Sequence, residues 1–262
     1  MPEQIDEAHD HGVKAWVDGI GAVVVGVLSV VQARINGQLA LQVGSGTEAA
    51  VVSFGTGLLM IAIIVVLVAS GRRGVARVAH SLRGAGRAPL WTFLGGLGGA
   101  TFVASQGLVV PATGVALFTV AVVAGLTANS LVADRFGVGP GGRRPVTVPR
   151  VVAAAIAVAG VVLAVSGQLG HGDVHPALLT LAFAAGAAVA LQQGVNGRVA
   201  VIAGSPLPAA LVNFVVGFTV LLLIAGVIEA GDGTSLVLPP APWDQPLLWL
   251  GGPIGVAFVV VA

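Results

Sequence analysis

Apolar residues gather into eight runs, at about 19–40, 48–70, 90–110, 112–133, 149–168, 176–194, 208–228 and 246–262, separated by short polar stretches. Each run is near the 20 or so residues that a helix needs to cross a hydrocarbon layer roughly 30 Å thick. The period-2 alternation of a membrane barrel is absent, and backbone groups in lipid must be satisfied within the segment, so each run predicts a helix. Pro111 and Gly114 separate the third span from the fourth by a tight turn, and Pro140-Gly141-Gly142 makes a looser one after the fourth.

The polar positions repeat. Gln32, Ile35, Asn36, Gly37 and Ala40 end the first run, and Gln192, Val195, Asn196, Gly197 and Ala200 end the sixth, 160 residues later. Ala49-Ala50, Phe54 and Gly57 return at the same offset as Ala209-Ala210, Phe214 and Gly217. Leu94-Gly95-Gly96, Gly99, Phe102 and Val103 return as Leu250-Gly251-Gly252, Gly255, Phe258 and Val259, now 156 residues on, so one loop is four residues shorter. The chain therefore reads as a five-helix unit over 19–168 and a second copy over 169–262 with about three of five helices. Its last run is still apolar at Ala262, and a complete second copy is expected to carry two more spans.

Composition agrees. With 56% hydrophobic and 9% charged residues and a mean hydropathy of +1.00, the chain falls far below the roughly 25% charged residues of a soluble domain. A net charge of +1 offers no basic patch for nucleic acid. Cysteine is absent, which excludes thiolate chemistry and disulfides. His9, His11, His80, His171 and His175 lie in the tail or the connections, so no metal centre and no cofactor is expected.

Loop charges orient the helices. Residues 71–89 carry Arg72, Arg73, Arg77, Arg83 and Arg87 and no acid, and 134–150 carry four Arg against Asp134. Basic short loops stay in the cytoplasm. Residues 229–245 hold Glu229, Asp232 and Asp244 and no base, and face outward. The tail, residues 1–18, is then cytoplasmic. An odd number of spans per copy makes the second copy enter from the opposite side, and the basic loop after span two against the acidic loop after span seven agrees with that inversion. Inverted repeats are a transporter architecture with its site near the bilayer midplane.

The pattern of Gln, Asn-Gly and a small-residue-rich second helix, then Leu-Gly-Gly with Phe-Val-Ala-Ser, then Gly114-Val115-Ala116-Leu117-Phe118, resembles the YdcZ-like, EamA-related branch of the drug/metabolite transporter superfamily. That resemblance implies a ten-helix, multi-pass bacterial inner-membrane protein of two inverted five-helix repeats that exports small metabolites or drugs. Related small multidrug exporters carry an embedded acid in the first helix. This first helix has none, which argues against that kind of proton coupling.

A polar side chain at membrane depth is costly and faces a bundle interior or a wet cavity. Gln32, Asn36, Gln106 and Asn129 with Gln192, Gln193, Asn196 and Asn213 are the expected substrate pathway, with Ser53 beside them. Gln32 and Asn36 share a helix face, as do Gln192 and Asn196. The competing role is interhelical hydrogen bonding, worth roughly 0.6 kcal/mol per bond in membranes. Arg34 sits toward the outer end of the first helix, where it snorkels to the interface or, with Glu48, forms an outer gate. Glu48 also suits the first turn of its own helix as a cap. Gly57, Gly95, Gly99, Gly217, Gly251 and Gly255 are expected at close helix crossings.

An intramembrane enzyme lacks support, since no span holds a carboxylate pair, a His cluster or a Cys nucleophile. No phosphate-binding loop is present for ATP-driven work. A secondary exporter working by alternating access is the favoured reading. A passive channel or a partner-dependent membrane role is the alternative. The bilayer, a small-molecule substrate, a coupling ion of unspecified kind and a homodimer are the expected partners.

Overall fold

The computed structural model describes residues 2–83, 87–168, 176–232 and 237–261. The expected connection 169–175, with His171, Asp173 and His175, and Ala262 lie outside the described residues, as do the side chains of most of the tail. Among the described residues the fold has eight α-helices: α1 Pro2–Val43, α2 Gly46–Leu67, α3 Ala69–Ser81, α4 Gly95–Phe136, α5 Val148–Gln168, α6 Pro176–Ala203, α7 Pro206–Asp232 and α8 Gly251–Val261. The chain is an all-α polytopic membrane protein. Among the described residues, five helical stretches are long and apolar enough to cross a bilayer, and the stretches Val148–Leu163 and Pro246–Val261 are shorter apolar ones.

α4 holds two of the expected spans. Gly114 interrupts it with φ +79 and ψ 160, a conformation that a side chain would oppose, while Pro111 stays inside the helix. Phe102 and Phe118 would stand about 24 Å apart on a straight helix. Their ring centroids are 6.0 Å apart, so α4 folds back on itself at Gly114.

Contacts fix the directions. Asn36 meets Gln106 and Gly37 meets Val110, so α1 runs parallel to the first half of α4. Gly95 meets Asn196 and Gly99 meets Gln192, so α6 runs antiparallel to that half. The duplicated helices α1 and α6 therefore point in opposite directions. So do α2 and α7, where a Cβ on Gly57 would overlap Phe214 and one on Gly217 would overlap Phe54. An internal two-fold axis follows, perpendicular to the helices. It passes between Phe54 and Phe214, 5.0 Å apart, and between Phe102 and Phe258, 6.1 Å apart. The core extends to either side of it, with Ile61 and its repeat mate Leu221 both buried.

The helix joints repeat as well. Gly44 and Gly204 end α1 and α6 at positive φ, and the next residues, Ser45 and Ser205, accept from backbone N–H groups of α2 and α7. Short 3-10 turns over Leu90–Phe93 and Pro246–Leu250 precede the third helix of each copy.

One helix departs from the sequence reading. Residues 71–89, read as a loop, hold most of α3, which begins at Ala69. Gly71, Gly74 and Val78 line its buried face, with Arg72, Arg73, Arg77 and His80 on the opposite, exposed one. Gly71 lies on Val65 of α2, and Gly74 on Ala203 and Pro208 at the α6–α7 turn. α3 thus crosses from one repeat to the other. At the opposite end, the Val237 N–H donates to Glu48 Oε2 at 2.9 Å and Leu248 packs with Leu39, Ala40 and Val43. Each repeat lays a strap over the first turn of its mate.

Candidate functional site

The close crossings are made by glycine. Gly95, Gly96 and Gly99 of α4 press on Asn196, Asn213 and Gln192, and Gly251, Gly252 and Gly255 of α8 press on Asn36, Ser53 and Gln32. At nearly all of these glycines a Cβ would overlap the facing atoms, and at Gly99 it would still be crowded. The third helix of each copy therefore packs on the first two helices of the other.

On the two-fold axis lies a cavity of about 20 Å³. Its walls are repeat-related pairs throughout: Gln32 with Gln192, Ser53 with Asn213, Phe54 with Phe214, Gly99 with Gly255, Phe102 with Phe258 and Val103 with Val259. The volume suits one water molecule.

The amides around the axis are not bonded symmetrically. Gln32 Nε2 donates to the Gly251 carbonyl at 3.0 Å. The equivalent bond of Gln192 to the Gly95 carbonyl is not made, and Gln192 Oε1 is buried without a partner. Asn196 Nδ2 donates to Asn213 Oδ1 at 3.2 Å. In the first repeat Ser53 stands in place of Asn213 and presents no amide, so Asn36 Nδ2 donates instead to Gln106 Oε1 at 2.6 Å. That choice leaves Asn36 Oδ1, Gln106 Nε2 and Ser53 Oγ unpartnered. Turning both amides over would exchange donor for acceptor and leave the same number of orphans. Each buried polar group left unmade costs roughly 1–3 kcal/mol, and such groups mark a bound water or a working site.

A second cavity, of about 300 Å³, lies beside α6 and is lined by Gln192, Gln193, Asn196, Pro206 and Phe258 among others. The equivalent space beside α1 is filled by α4, where Val110 meets Gly37 and Gly107 meets Gly46. A groove of about 650 Å³ runs along Ala22, Val25, Gly26 and Ser29 of α1 and opens toward Phe118 and Gln193. Its repeat mate on α6 is packed tight, since a Cβ on Gly186 would overlap the Val122 carbonyl, whereas Gly26 has nothing within 4 Å. The groove shares Phe102 and Phe258 with the axial cavity.

Of the expected pathway, Gln32, Gln192 and Asn213 reach the axial cavity. Gln193 and Asn196 line the cavity beside α6, and Asn36 and Gln106 form a wholly buried pair behind the axis. Asn129 stands apart: its Nδ2 donates to the Ala187 carbonyl at 2.7 Å, tying α4 to α6. Arg34 and Glu48 are not brought together. Arg34 is exposed in a groove of about 900 Å³ with Val30, Val31, Gln38 and Leu247, and Glu48 holds Val237. Among the described residues the ion pair is Arg150 with Asp134. Two contributors were missed from sequence, Arg198 and the Gly-Ser joints. Arg198 lies over the Trp91 ring at 5.1 Å and donates to the carbonyls of Gly137 and Val138, closing the end of α4 onto α6. Its repeat mate is Gln38, so duplication gave no signal for it. Gly44-Ser45 and Gly204-Ser205 do share the 160-residue offset.

One family model, described as "Putative inner membrane exporter, YdcZ", matches residues 19–163 and 177–262. No curated protein matches the chain, and no solved structure does.

Proposed function

The chain belongs to the YdcZ family, described as inner membrane exporters, and from that membership we propose a secondary transporter that exports a small metabolite or drug by alternating access. The observation that carries the reading is the axial cavity, walled by repeat-related pairs and holding buried oxygens without partners. Antiparallel repeats around such an axis can exchange conformations, so that what closes one end in one state closes the other end in the next. The unequal glutamine bonds supply a latch for that exchange. Gln32 holds the Gly251 carbonyl here, and Gln192 takes the Gly95 carbonyl in the opposite state. The two straps, α3 over the α6–α7 turn and residues 237–248 over the α1–α2 turn, are the parts that must yield as each end opens.

The orientation places α3 and its arginines in the cytoplasm, with the N-terminus, and the Glu48 end outside. The first repeat is taken as residues 19–168 and the second, incomplete one as 169–262. No carboxylate, lysine or histidine lines the axial cavity. A net-neutral substrate that offers hydrogen-bond donors suits its unpartnered oxygens.

The test is solute counterflow and solid-supported-membrane current in proteoliposomes. A panel of neutral metabolites and cationic drugs is screened with and without a proton gradient. A saturable signal that the Asn36→Ala/Asn196→Ala double variant loses while inserting normally supports the pathway. Unchanged flux in the double variant overturns it.

A further inference from the structure

α3 does more than bridge the repeats. Its small apolar face is consumed by the protein, through Gly71 on Val65, Gly74 on Pro208 and Val78 in the cluster with Phe93, Val199 and Ala209. Its opposite face, with Arg72, Arg73, Arg77 and His80, is exposed, the Arg77 guanidinium lying against Gly204 at the end of α6. No acid lies between Ala69 and Pro89, and no carboxylate pairs with these arginines among the described residues.

The height and direction of this face follow from Arg72. Its Nη1 donates to the carbonyls of Val66 and Leu67, the last turn of α2. Val66 and Leu67 are themselves 64% and 74% exposed apolar side chains at the end of a 22-residue apolar helix. Side chains of that kind on a membrane-spanning helix face lipid. The Arg72 guanidinium therefore stands at the rim of the bundle, at the level where hydrocarbon gives way to headgroups, with further N–H groups left to donate. Trp91, 45% exposed at the same end, is the residue type that gathers at that level.

We infer that the Arg72, Arg73 and Arg77 face of α3 is a binding site for the phosphate of an anionic phospholipid, and that the bound lipid holds α3 down across the seam between the repeats. Guanidinium groups match phosphate oxygens with paired hydrogen bonds. Each arginine near an anionic surface contributes about fivefold in affinity. The site lies outside the axial cavity and does not depend on the transport reading, because binding is measured without flux.

The experiment uses the full chain in a neutral detergent, with phosphatidylglycerol, phosphatidylcholine and inorganic phosphate as separate probes. The readouts are lipid retention by native mass spectrometry and the thermal unfolding midpoint. Arg73→Gln/Arg77→Gln is the test variant, because it leaves the Arg72 contacts to α2 in place. Arg143→Gln/Arg144→Gln, on a different loop, is the control. Phosphatidylglycerol should be retained and should raise the midpoint of the native chain and of the control, and its affinity should fall roughly 30-fold in the test variant. Equal retention of phosphatidylcholine, or equal retention of phosphatidylglycerol by the test variant, overturns the site. A midpoint raised as much by inorganic phosphate as by phosphatidylglycerol makes it a free-phosphate site and overturns the lipid assignment. Should the test variant not fold, Arg73→Lys/Arg77→Lys keeps the charge but not the paired geometry, and undiminished retention there overturns the guanidinium role.

Discussion

Phe54 and Phe214 hold the same place in the two repeats and lie against each other, ring centroids 5.0 Å apart and planes tilted by 41°. Each ring fills the space left by the glycine three residues past the other, Phe214 over Gly57 and Phe54 over Gly217. The relation is reciprocal, as at the interface of a two-fold dimer, but here it is made within one chain.

Gly57→Ala should lower stability by about 1–3 kcal/mol through overpacking. The nearest atoms belong to the Phe214 ring alone, so Phe214→Leu should recover part of the loss. Gly217→Ala meets the Gly96 carbonyl as well as Phe54, and Phe54→Leu should recover less. Denaturant unfolding in detergent, arranged as two double-mutant cycles, measures both couplings.

Asn36→Leu strands Gln106 in an apolar interior and should cost roughly 1–3 kcal/mol. Adding Gln106→Leu removes the stranded group, and the double variant should be more stable than the single one. The same unfolding measurement decides it. A double variant with the summed loss of the two single ones would deny the pairing.

Gln32→Leu frees the Gly251 carbonyl and should destabilise the chain, while Gln192→Leu removes an oxygen that has no partner and should leave stability unchanged or raised. Both should depress counterflow, because each removes one half of the latch. Equal stability loss in the two variants would show that the glutamines are equivalent in the resting state.

Much of this architecture is visible in the sequence because it is written in one-dimensional terms. Span lengths follow from hydropathy, and inversion follows from an odd span count with opposite loop charges. The packing glycines follow from their duplication. α3 escaped because its buried face is built from Gly71 and Gly74, which carry no hydropathy signal beside Arg72, Arg73 and Arg77. The partner of Asn36 escaped for another reason. Duplication points to Ser53 as the mate of Asn213, but Ser53 leaves the Asn36 amide without that partner, and the amide turns to Gln106 on a different helix. Only the crossing of α1 with α4 reveals that choice. Arg34 and Glu48 shared an end of the bundle, yet Arg34 faces outward while Glu48 is taken by a backbone N–H from the other repeat.

With no cysteine in the chain, single-cysteine variants report on one site at a time. Arg73→Cys on α3 should react with an impermeant maleimide only from the cytoplasmic side of cells, and Trp243→Cys, at 83% exposure, only from outside. Labelling of both from one side would contradict the inverted topology assigned to the repeats.

The most direct measurement is the accessibility of Ser53→Cys, on the axis, in sealed vesicles of known orientation. Ser53 is 2% exposed in this structure. An alternating-access cycle predicts slow reaction with a small impermeant thiol reagent applied from either face, with Ile61→Cys, buried away from the cavity, unreactive throughout. Reaction from neither face, or from one face alone under every condition, would contradict an axial transport path.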